Sequence, residues 1–140
     1  KFSVGDIMYD SVLGMEYKVV KEVRDEDLAI NVKSGSIEVF STPMLVALIE
    51  QAASELSDKI LSEPDTTVGV KVCIDHKAPT IIGEEVTAKA KIISVEGKKI
   101  TFKVSACDRF GEISSGIHER VIVNKAKFIE NALKRANKNL

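Results

Sequence analysis

The sequence predicts one α+β domain in which an antiparallel β-sheet curls around a long central α-helix. Two observations predict this class. An almost continuous apolar stretch with helical spacing begins at Thr42, and four strand-like segments separated by turn signals follow it. The length of 140 residues is enough for one ordinary core and too short for two. We therefore expect residues 1–140 to form a single domain.

The first predicted strand covers residues 15–23, where apolar and charged side chains alternate with a period near two. The charged run of residues 24–27 interrupts this pattern, and residues 31–40 contain the flexible sequence Ser34-Gly35-Ser36. We expect an edge or outer strand, followed by a loop that covers a site.

The central helix has a marked start, because Thr42 is a favourable N-cap and Pro43 has the φ angle that the first helical position needs. Helical spacing continues for about five turns, until residues 62–65 end the element. The first half is apolar nearly all round, so we expect other structure to wrap it on most sides. Glu50 is the exception there. Burying an unpaired carboxylate is costly, so Glu50 should have partners or a task.

Four further strands are predicted after the helix. They cover residues 67–77, 84–95, 99–108 and 113–123, with turn signals at Gly83, Glu96-Gly97 and Arg109-Phe110-Gly111. Consecutive strands should therefore form antiparallel hairpins. The clearest alternation puts Phe102, Val104 and Ala106 on one face. Residues 125–138 are typical of a polar C-terminal helix.

A sheet curled around one central helix is the hotdog fold, which satisfies this order of elements. A two-layer sandwich with a helix on one face predicts the same pattern, so the pattern alone leaves both open.

Composition limits the possible functions. The net charge of -1 and pI near 6.2 lack the basic excess that nucleic-acid binding usually requires. The longest apolar run, residues 43–49, is far shorter than the roughly 20 residues that span a bilayer, and the first thirty residues lack a signal peptide's apolar centre. We expect a cytoplasmic protein without nucleic-acid or membrane partners.

Cys73 and Cys107 are isolated cysteines in strand-like segments, without CxxC or metal-ligand spacing. We expect two reduced core thiols. A zinc site would require both to converge with His76 and His118, so we expect no metal.

Three residues are candidates for catalysis. Thr42 lies about two helical turns before Glu50, and His76 follows a strand-like run. A hydroxyl, a carboxylate and an imidazole are the components of an acyl-transfer site. Each also has a structural interpretation: a helix cap for Thr42, a buried acid for Glu50 and a satisfied strand residue for His76.

Five short motifs follow one another along the chain: Phe40-Ser41-Thr42-Pro43-Met44 with Glu50, Val68-Gly69, His76-Lys77-Ala78-Pro79-Thr80 with Gly83, Gly116-Ile117-His118-Glu119-Arg120, and Lys127-Phe128. In this order and spacing, they resemble the fluoroacetyl-CoA thioesterase-like branch of the hotdog thioesterases. The resemblance implies that Thr42, Glu50 and His76 are catalytic and that Gly69 and Arg120 contact the acyl-CoA. It implies no cofactor, because water is the co-substrate and CoA is part of the substrate.

One segment departs from the family. The defining enzyme carries an aromatic lid ahead of its central helix, whereas this chain has Lys33-Ser34-Gly35-Ser36-Ile37 there and only Phe40 as an aromatic. This argues against specificity for fluoroacetyl-CoA. The leading hypothesis is an acyl-CoA thioesterase that acts on a short or otherwise compact acyl group. Two rival functions are an enoyl-CoA hydratase, which leaves the thioester intact, and a non-catalytic acyl-CoA-binding module.

In the favoured chemistry, Glu50 either attacks the thioester carbonyl or acts as general base on water. His76 would polarise the carbonyl, orient water or protonate the leaving sulfur. The alternative for Arg120 is a salt bridge with Glu119 or across a subunit interface, and His118 is either a packing residue or a second functional histidine.

Two further expectations concern partners. Lys71, Lys77, Lys98 and Lys99 are weak candidates for the CoA phosphates. Sheet edges invite pairing with a second copy, so we expect a homodimer. In hotdog proteins the acyl-CoA site lies at the dimer interface, which implies that the groups named above meet residues of the other chain.

Overall fold

A computed structural model describes residues 9–138. Its elements are, in chain order, helix α1 (Tyr9–Val12), strand β1 (Glu16–Glu22), a 3-10 turn (Asp25–Asp27), helix α2 (Ala29–Val32), helix α3 (Thr42–Ile60), strands β2 (Asp65–His76), β3 (Glu85–Glu96), β4 (Lys99–Asp108) and β5 (Gly111–Asn124), and helix α4 (Lys125–Arg135). All five predicted strands and both long predicted helices are confirmed, with ends shifted by a few residues at most.

The five strands form one antiparallel sheet in the order β1-β3-β4-β5-β2. The predicted edge position of β1 is confirmed, and so are the β3–β4 and β4–β5 hairpins. The predicted β2–β3 hairpin is wrong, because β2 pairs with β5 at the opposite edge. The connection between β2 and β3 instead bonds to other loops: Phe40 N–H donates to Thr80 O, and Gly83 N–H donates to Val23 O.

One face of α3 forms the core against β1 to β4. Its buried residues include Leu45, Leu48, Ile49, Ala52, Ala53, Leu56 and Ile60, which meet the inward side chains of the sheet. The predicted inward face of β4 is confirmed, since Phe102, Val104 and Ala106 are all buried. Truncating Ile49, which is completely buried, to alanine would cost about 2–5 kcal/mol.

Helix α3 starts one residue earlier than the sequence predicts. Ser41, not Thr42, is the N-cap: its backbone is extended, and its Oγ accepts from Met44 N–H at 3.3 Å. Thr42 is the first helical residue and Pro43 the second. Because Ser41 satisfies the free N–H, the hydroxyl of Thr42 is left for another partner.

The outer face of α3 is not covered within one chain, so the expectation that this helix is wrapped on most sides is wrong for the protomer. Pro43, Ala47 and Gln51 are exposed, and the Glu50 side chain retains 40% of its accessible surface. The sheet covers one side of the helix, and no described element covers the other.

Strand β2 is similarly open. Cys73 on β2 and Cys107 on β4 are free thiols, as predicted, but both are exposed, so their predicted core position is wrong. They lie on outward positions of their strands, opposite the faces that carry the core. Within residues 9–138, no helix is both long and apolar enough to cross a membrane.

Candidate active site

Thr42 and His76 meet where α3 begins and β2 ends. Thr42 Oγ1 lies 2.8 Å from His76 Nδ1, a hydrogen bond between an exposed hydroxyl and a partly buried ring. The other ring nitrogen, His76 Nε2, is buried and has no hydrogen-bond partner among the described residues. Burial lowers the pKa of His76 below its usual 6.5, so the imidazole is neutral at pH 7.

A cavity of about 270 Å³ opens beside this pair. Its lining combines small and apolar side chains with a few polar ones: Ala29, Ser34, Val39, Phe40, Ser41, Thr42, His76, Lys77, Ala78 and Pro79. The β-bridge between Leu28 and Phe40 joins the two ends of the loop that lies between them, and this loop folds against the cavity. The loop expected over residues 31–40 therefore does border the candidate site.

Glu50 and Arg120 form a second group, farther along α3. Glu50 Oε2 lies 3.4 Å from Arg120 Nη1, which is long for a charge-assisted hydrogen bond. Arg120 is held mainly by Thr67, to whose Oγ1 its Nε donates at 2.8 Å and to whose carbonyl its Nη2 donates at 3.1 Å. The Arg120 side chain is only 7% exposed. Burial lowers the pKa of Arg120, and the Glu50 carboxylate opposes that shift.

Gly69 lies directly against Glu50. A Cβ at this position would overlap Glu50 Oε2 and come within 3.2 Å of Arg120 Nη1. The pairing of β2 with β5 shifts register between Gly69 and Lys71, so a β-bulge follows the glycine. A strand glycine of this kind marks a close approach, here of a carboxylate to the backbone.

His118 lies closer to the candidate site than its sequence position alone indicated. It is fully buried, and its Nε2 lies 3.2 Å from Arg120 Nη1. The signal was available, because residues 118 and 120 share one face of a strand. The same rule excludes the predicted Glu119 partner for Arg120. Glu119 lies on the other face, where it pairs with Lys99 at 3.2 Å.

The structure therefore divides the predicted site residues into two groups. Thr42 meets His76, and Glu50 meets Gly69 and Arg120, but no hydrogen bond or ion pair between the described residues joins the groups. Thr42 precedes Glu50 by eight residues of α3, a rise of about 12 Å along the helix axis. Within one chain, the helical rise therefore separates the backbone positions of Thr42 and Glu50 by about two turns.

Of the lysines proposed for CoA phosphates, Lys77 lines the cavity and pairs with Glu112 at 2.7 Å. Lys99 pairs with Glu119, as described above. The phosphate contacts stay a prediction. In the described part of the chain, no group of three or more His, Cys, Asp or Glu side chains is arranged to hold a metal ion.

An antiparallel sheet packed around one long helix defines the hotdog class. A hot-dog-like protein from Thermanaerovibrio acidaminovorans superposes with a TM-score of 0.80 at 28% identity, covering 88% of this chain and 91% of that chain. The predicted fold class is confirmed.

The particular family follows from the sequence. The profile of the FlK family, described as fluoroacetyl-CoA-specific thioesterase, matches residues 23–126. The fluoroacetyl-CoA thioesterase of Streptantibioticus cattleyicolor is 38% identical over 91 residues, which are 65% of this chain and 66% of that enzyme, slightly under two thirds of its length. A mutant of the fluoroacetyl-CoA-specific thioesterase FlK in complex with fluoroacetate and CoA superposes with a TM-score of 0.76 at 31% identity, covering 83% of this chain and 98% of that chain.

This chain belongs to the FlK family of hotdog thioesterases. The predicted family and the predicted thioesterase class are confirmed, and the hydratase and pure binding-module alternatives are not favoured.

Proposed function

We propose that the protein hydrolyses a compact acyl-CoA at a site shared between two copies of the chain, with Thr42 and His76 from one copy and Glu50 from the other. The observation that carries this proposal is the division of the site: Thr42 contacts His76, Glu50 contacts Arg120, and residues 42 and 50 are separated by a rise of about 12 Å along α3. A related enzyme that holds fluoroacetate and CoA supports acyl-CoA as the substrate class.

The open β2 edge supports a homodimer. Residues 69–73 of β2 are largely exposed, including Val70 at 54%, and an exposed edge is a template for pairing with another strand. Along β2, Gly69 lies beside Glu50 and His76 beside Thr42. An antiparallel β2–β2 contact centred near residues 72 and 73 would bring His76 of one copy close to Gly69 and Glu50 of the other. It would also cover the exposed face of α3.

In the chemistry we propose, the loosely paired Glu50 carboxylate is the reactive base or nucleophile. As a base, it takes a proton from water while the water oxygen adds to the thioester carbonyl carbon. As a nucleophile, it adds to that carbon itself and forms an anhydride, which water then hydrolyses. Either route breaks the C–S bond and yields the free acid and CoA thiol, the proton on sulfur coming from the water consumed.

Thr42 and His76 would act on the other side of the carbonyl. The neutral imidazole and the hydroxyl are hydrogen-bonded to each other, so together they offer a donor for the developing oxyanion or a site that orients water. Arg120 would hold the Glu50 carboxylate in place, and Gly69 would leave room for the carboxylate and the pantetheine arm. Contact of Arg120 or Gly69 with the acyl-CoA stays a prediction of the resemblance.

The size of the cavity favours a compact acyl group. About 270 Å³ is at or below the lower end of the range for small-molecule pockets, and the apolar lining consists of the small side chains Ala29, Val39, Ala78 and Pro79 together with Phe40. A fatty-acyl chain would exceed it. The cytoplasmic location stays a prediction of the sequence.

The first test is thiol release from a panel of acyl-CoAs, from acetyl to long-chain and aryl, with the wild type, Glu50→Gln and His76→Ala. We expect turnover of the short esters only, and large losses in both variants. If the wild type releases thiol fastest from long-chain esters, the compact-substrate proposal is wrong.

A mixing experiment tests the shared site. Subunits carrying Glu50→Gln and subunits carrying His76→Ala are co-expressed with different tags, and the mixed dimer is purified. In a shared site, one of its two sites combines an intact Glu50 with an intact His76, so the mixed dimer should recover about half of the wild-type activity per dimer. If each site lies within one chain, both sites are damaged and the mixed dimer stays as inactive as its parents.

A further inference from the structure

His118 is a buried titratable group that the proposed reaction does not use. It is fully buried on β5, and its ring lies on the Phe102 ring with centroids 6.0 Å apart and an angle of 28°. Both of its nitrogens have partners. Nδ1 lies 2.8 Å from the Lys71 carbonyl oxygen, and Nε2 lies 3.2 Å from Arg120 Nη1.

These two partners determine which nitrogen carries the proton. A carbonyl oxygen only accepts hydrogen bonds, so Nδ1 must carry hydrogen and donate to Lys71 O. A guanidinium only donates, so Nε2 must present its lone pair to Arg120. Protonation of Nε2 would set an N–H against an N–H and a cation against a buried cation.

The charges around the ring agree with this neutral form. Burial is the main cause that lowers the pKa of His118, and Arg120 on the same strand acts in the same direction. The Lys71 carbonyl on β2, Glu50 on α3 and the neighbouring Glu119 oppose the shift without reversing it.

The ring connects two features that control Glu50. Its bond to Arg120 provides an acceptor for Nη1, the same nitrogen that lies 3.4 Å from Glu50 Oε2. Its bond to Lys71 O holds the residue that ends the β2 bulge, two positions after Gly69. The His118 imidazole therefore restrains both the Arg120 guanidinium beside the Glu50 carboxylate and the β2 backbone against which that carboxylate lies.

We propose that His118 is a positioning residue, which in its neutral Nδ1–H form aims Arg120 and fixes the Gly69 bulge so that Glu50 is held ready for reaction. This inference rests on the proposed role of Glu50. It gives His118 no contact with the substrate.

Three substitutions separate the two bonds. His118→Phe keeps the ring and its packing on Phe102 but removes both bonds. In His118→Gln the amide oxygen can replace Nε2 as the acceptor for Arg120, and in His118→Asn the amide nitrogen can replace Nδ1 as the donor to Lys71 O. We expect His118→Phe to lower kcat by about 10–100-fold with less than a threefold change in KM, because small displacements of a catalytic group have effects of this size. Gln should restore more of kcat than Asn.

Spectroscopy provides a readout that does not depend on turnover. The chain has only two histidines, so the His76→Ala spectrum assigns the ¹⁵N signals of His118. At neutral pH we expect protonated Nδ1 and unprotonated Nε2, and a slowly exchanging Arg120 guanidinium signal that is lost in His118→Phe.

The outcomes are distinguishable. If the wild type releases no thiol from any ester, the proposed function fails, while the spectra still decide whether His118 holds Arg120. The inference is overturned if His118→Phe keeps wild-type kcat, if Gln restores no more activity than Phe, or if Nε2 carries the proton. Should His118→Phe not fold, the comparison of Gln with Asn and the wild-type spectrum decide.

Discussion

The two halves of the candidate site are built differently. The Thr42–His76 pair joins an exposed helix start to a strand end through one hydrogen bond. The Glu50 group is built on a buried guanidinium that donates to Thr67 twice, to His118 and, at longer range, to Glu50 itself. One half is preorganised by the core of its own chain, and the other borders an open cavity.

This difference suggests a division of labour. Catalytic groups gain most when their own conformation is fixed before the substrate arrives, and Glu50 is the group with such support. Thr42 and His76 lie where a substrate enters and a second copy would pack. Substitutions of the buried residues that support Glu50 should therefore lower both reaction rate and stability, whereas substitutions of Glu50 itself or of the open half should mainly lower the rate.

The largest effect is expected for the carboxylate itself. Glu50→Gln keeps the shape of the side chain but removes the base or nucleophile, and we expect kcat to fall by about 10³-fold or more. Thr42→Val, in the other half, should cost about 10–100-fold, because a hydroxyl that orients a reacting group contributes less than the group that reacts. Steady-state thiol release measures both.

The melting temperature of each variant is the control. Glu50 is only partly buried, so the Gln variant should melt within a few degrees of the wild type. If Glu50→Gln retains more than about a tenth of the wild-type kcat, Glu50 is not the reactive group.

A second prediction concerns the backbone beneath the carboxylate. Gly69→Ala should lower kcat by about 100-fold, because the new Cβ displaces Glu50 Oε2. Gly35→Ala is the matched control, since its Cβ would meet only Ala29 Cβ at an ordinary 3.4 Å. We expect less than a threefold change there. Equal effects of the two substitutions would contradict the assigned role of Gly69.

Local sequence rules predicted much of the fold. Period-two alternation located β4 from Lys99 to Asp108, and residues of high turn preference located its neighbours. The same rules could not predict that β2 pairs with β5, because strand order depends on where the loop of residues 77–84 bonds, which is a tertiary property. The prediction of Thr42 as the N-cap was wrong for a similar reason. Ser41 and Thr42 both fit the residue preference of an N-cap, and the backbone conformation places Ser41 there.

The sequence predicted which residues form the candidate site but not how they are arranged in space. The motif resemblance named Thr42, Glu50 and His76 together, while their division into two groups follows from the helical rise between positions 42 and 50. That rise was available in the sequence. The role of Thr67 as the main partner of Arg120 was not, because no short-range pattern links residues 53 positions apart.

The next prediction is that substitutions in the two halves of the candidate site lower the free energy of unfolding by different amounts. Arg120→Met leaves the Thr67 oxygens and His118 Nε2 without their donor in a buried region, so we expect the free energy of unfolding to fall by about 2–4 kcal/mol. His76→Ala removes one bond to an exposed hydroxyl and should cost about 1 kcal/mol or less. Urea unfolding at one fixed protein concentration measures both. Equal losses would mean that the two halves do not differ in support.

The smallest expected effect is the pH dependence of stability. Burial lowers the pKa of both His76 and His118 in the folded protein, whereas in the unfolded chain they titrate near 6.5. Above pH 7 each ring is neutral in both states and contributes no slope. As the pH falls through 6.5, the unfolded state binds protons first, so the free energy of unfolding decreases until the folded-state pKa values are passed. Urea unfolding at several pH values from about 7 to 5.5 should show this decline.

Two variants test which groups cause the decline. His118→Gln should flatten it by removing one of the two histidines, and His76→Ala should flatten it by removing the other. If neither substitution changes the decline, other groups take up the protons. His76 and His118 would then not be buried in the neutral form that the structure indicates.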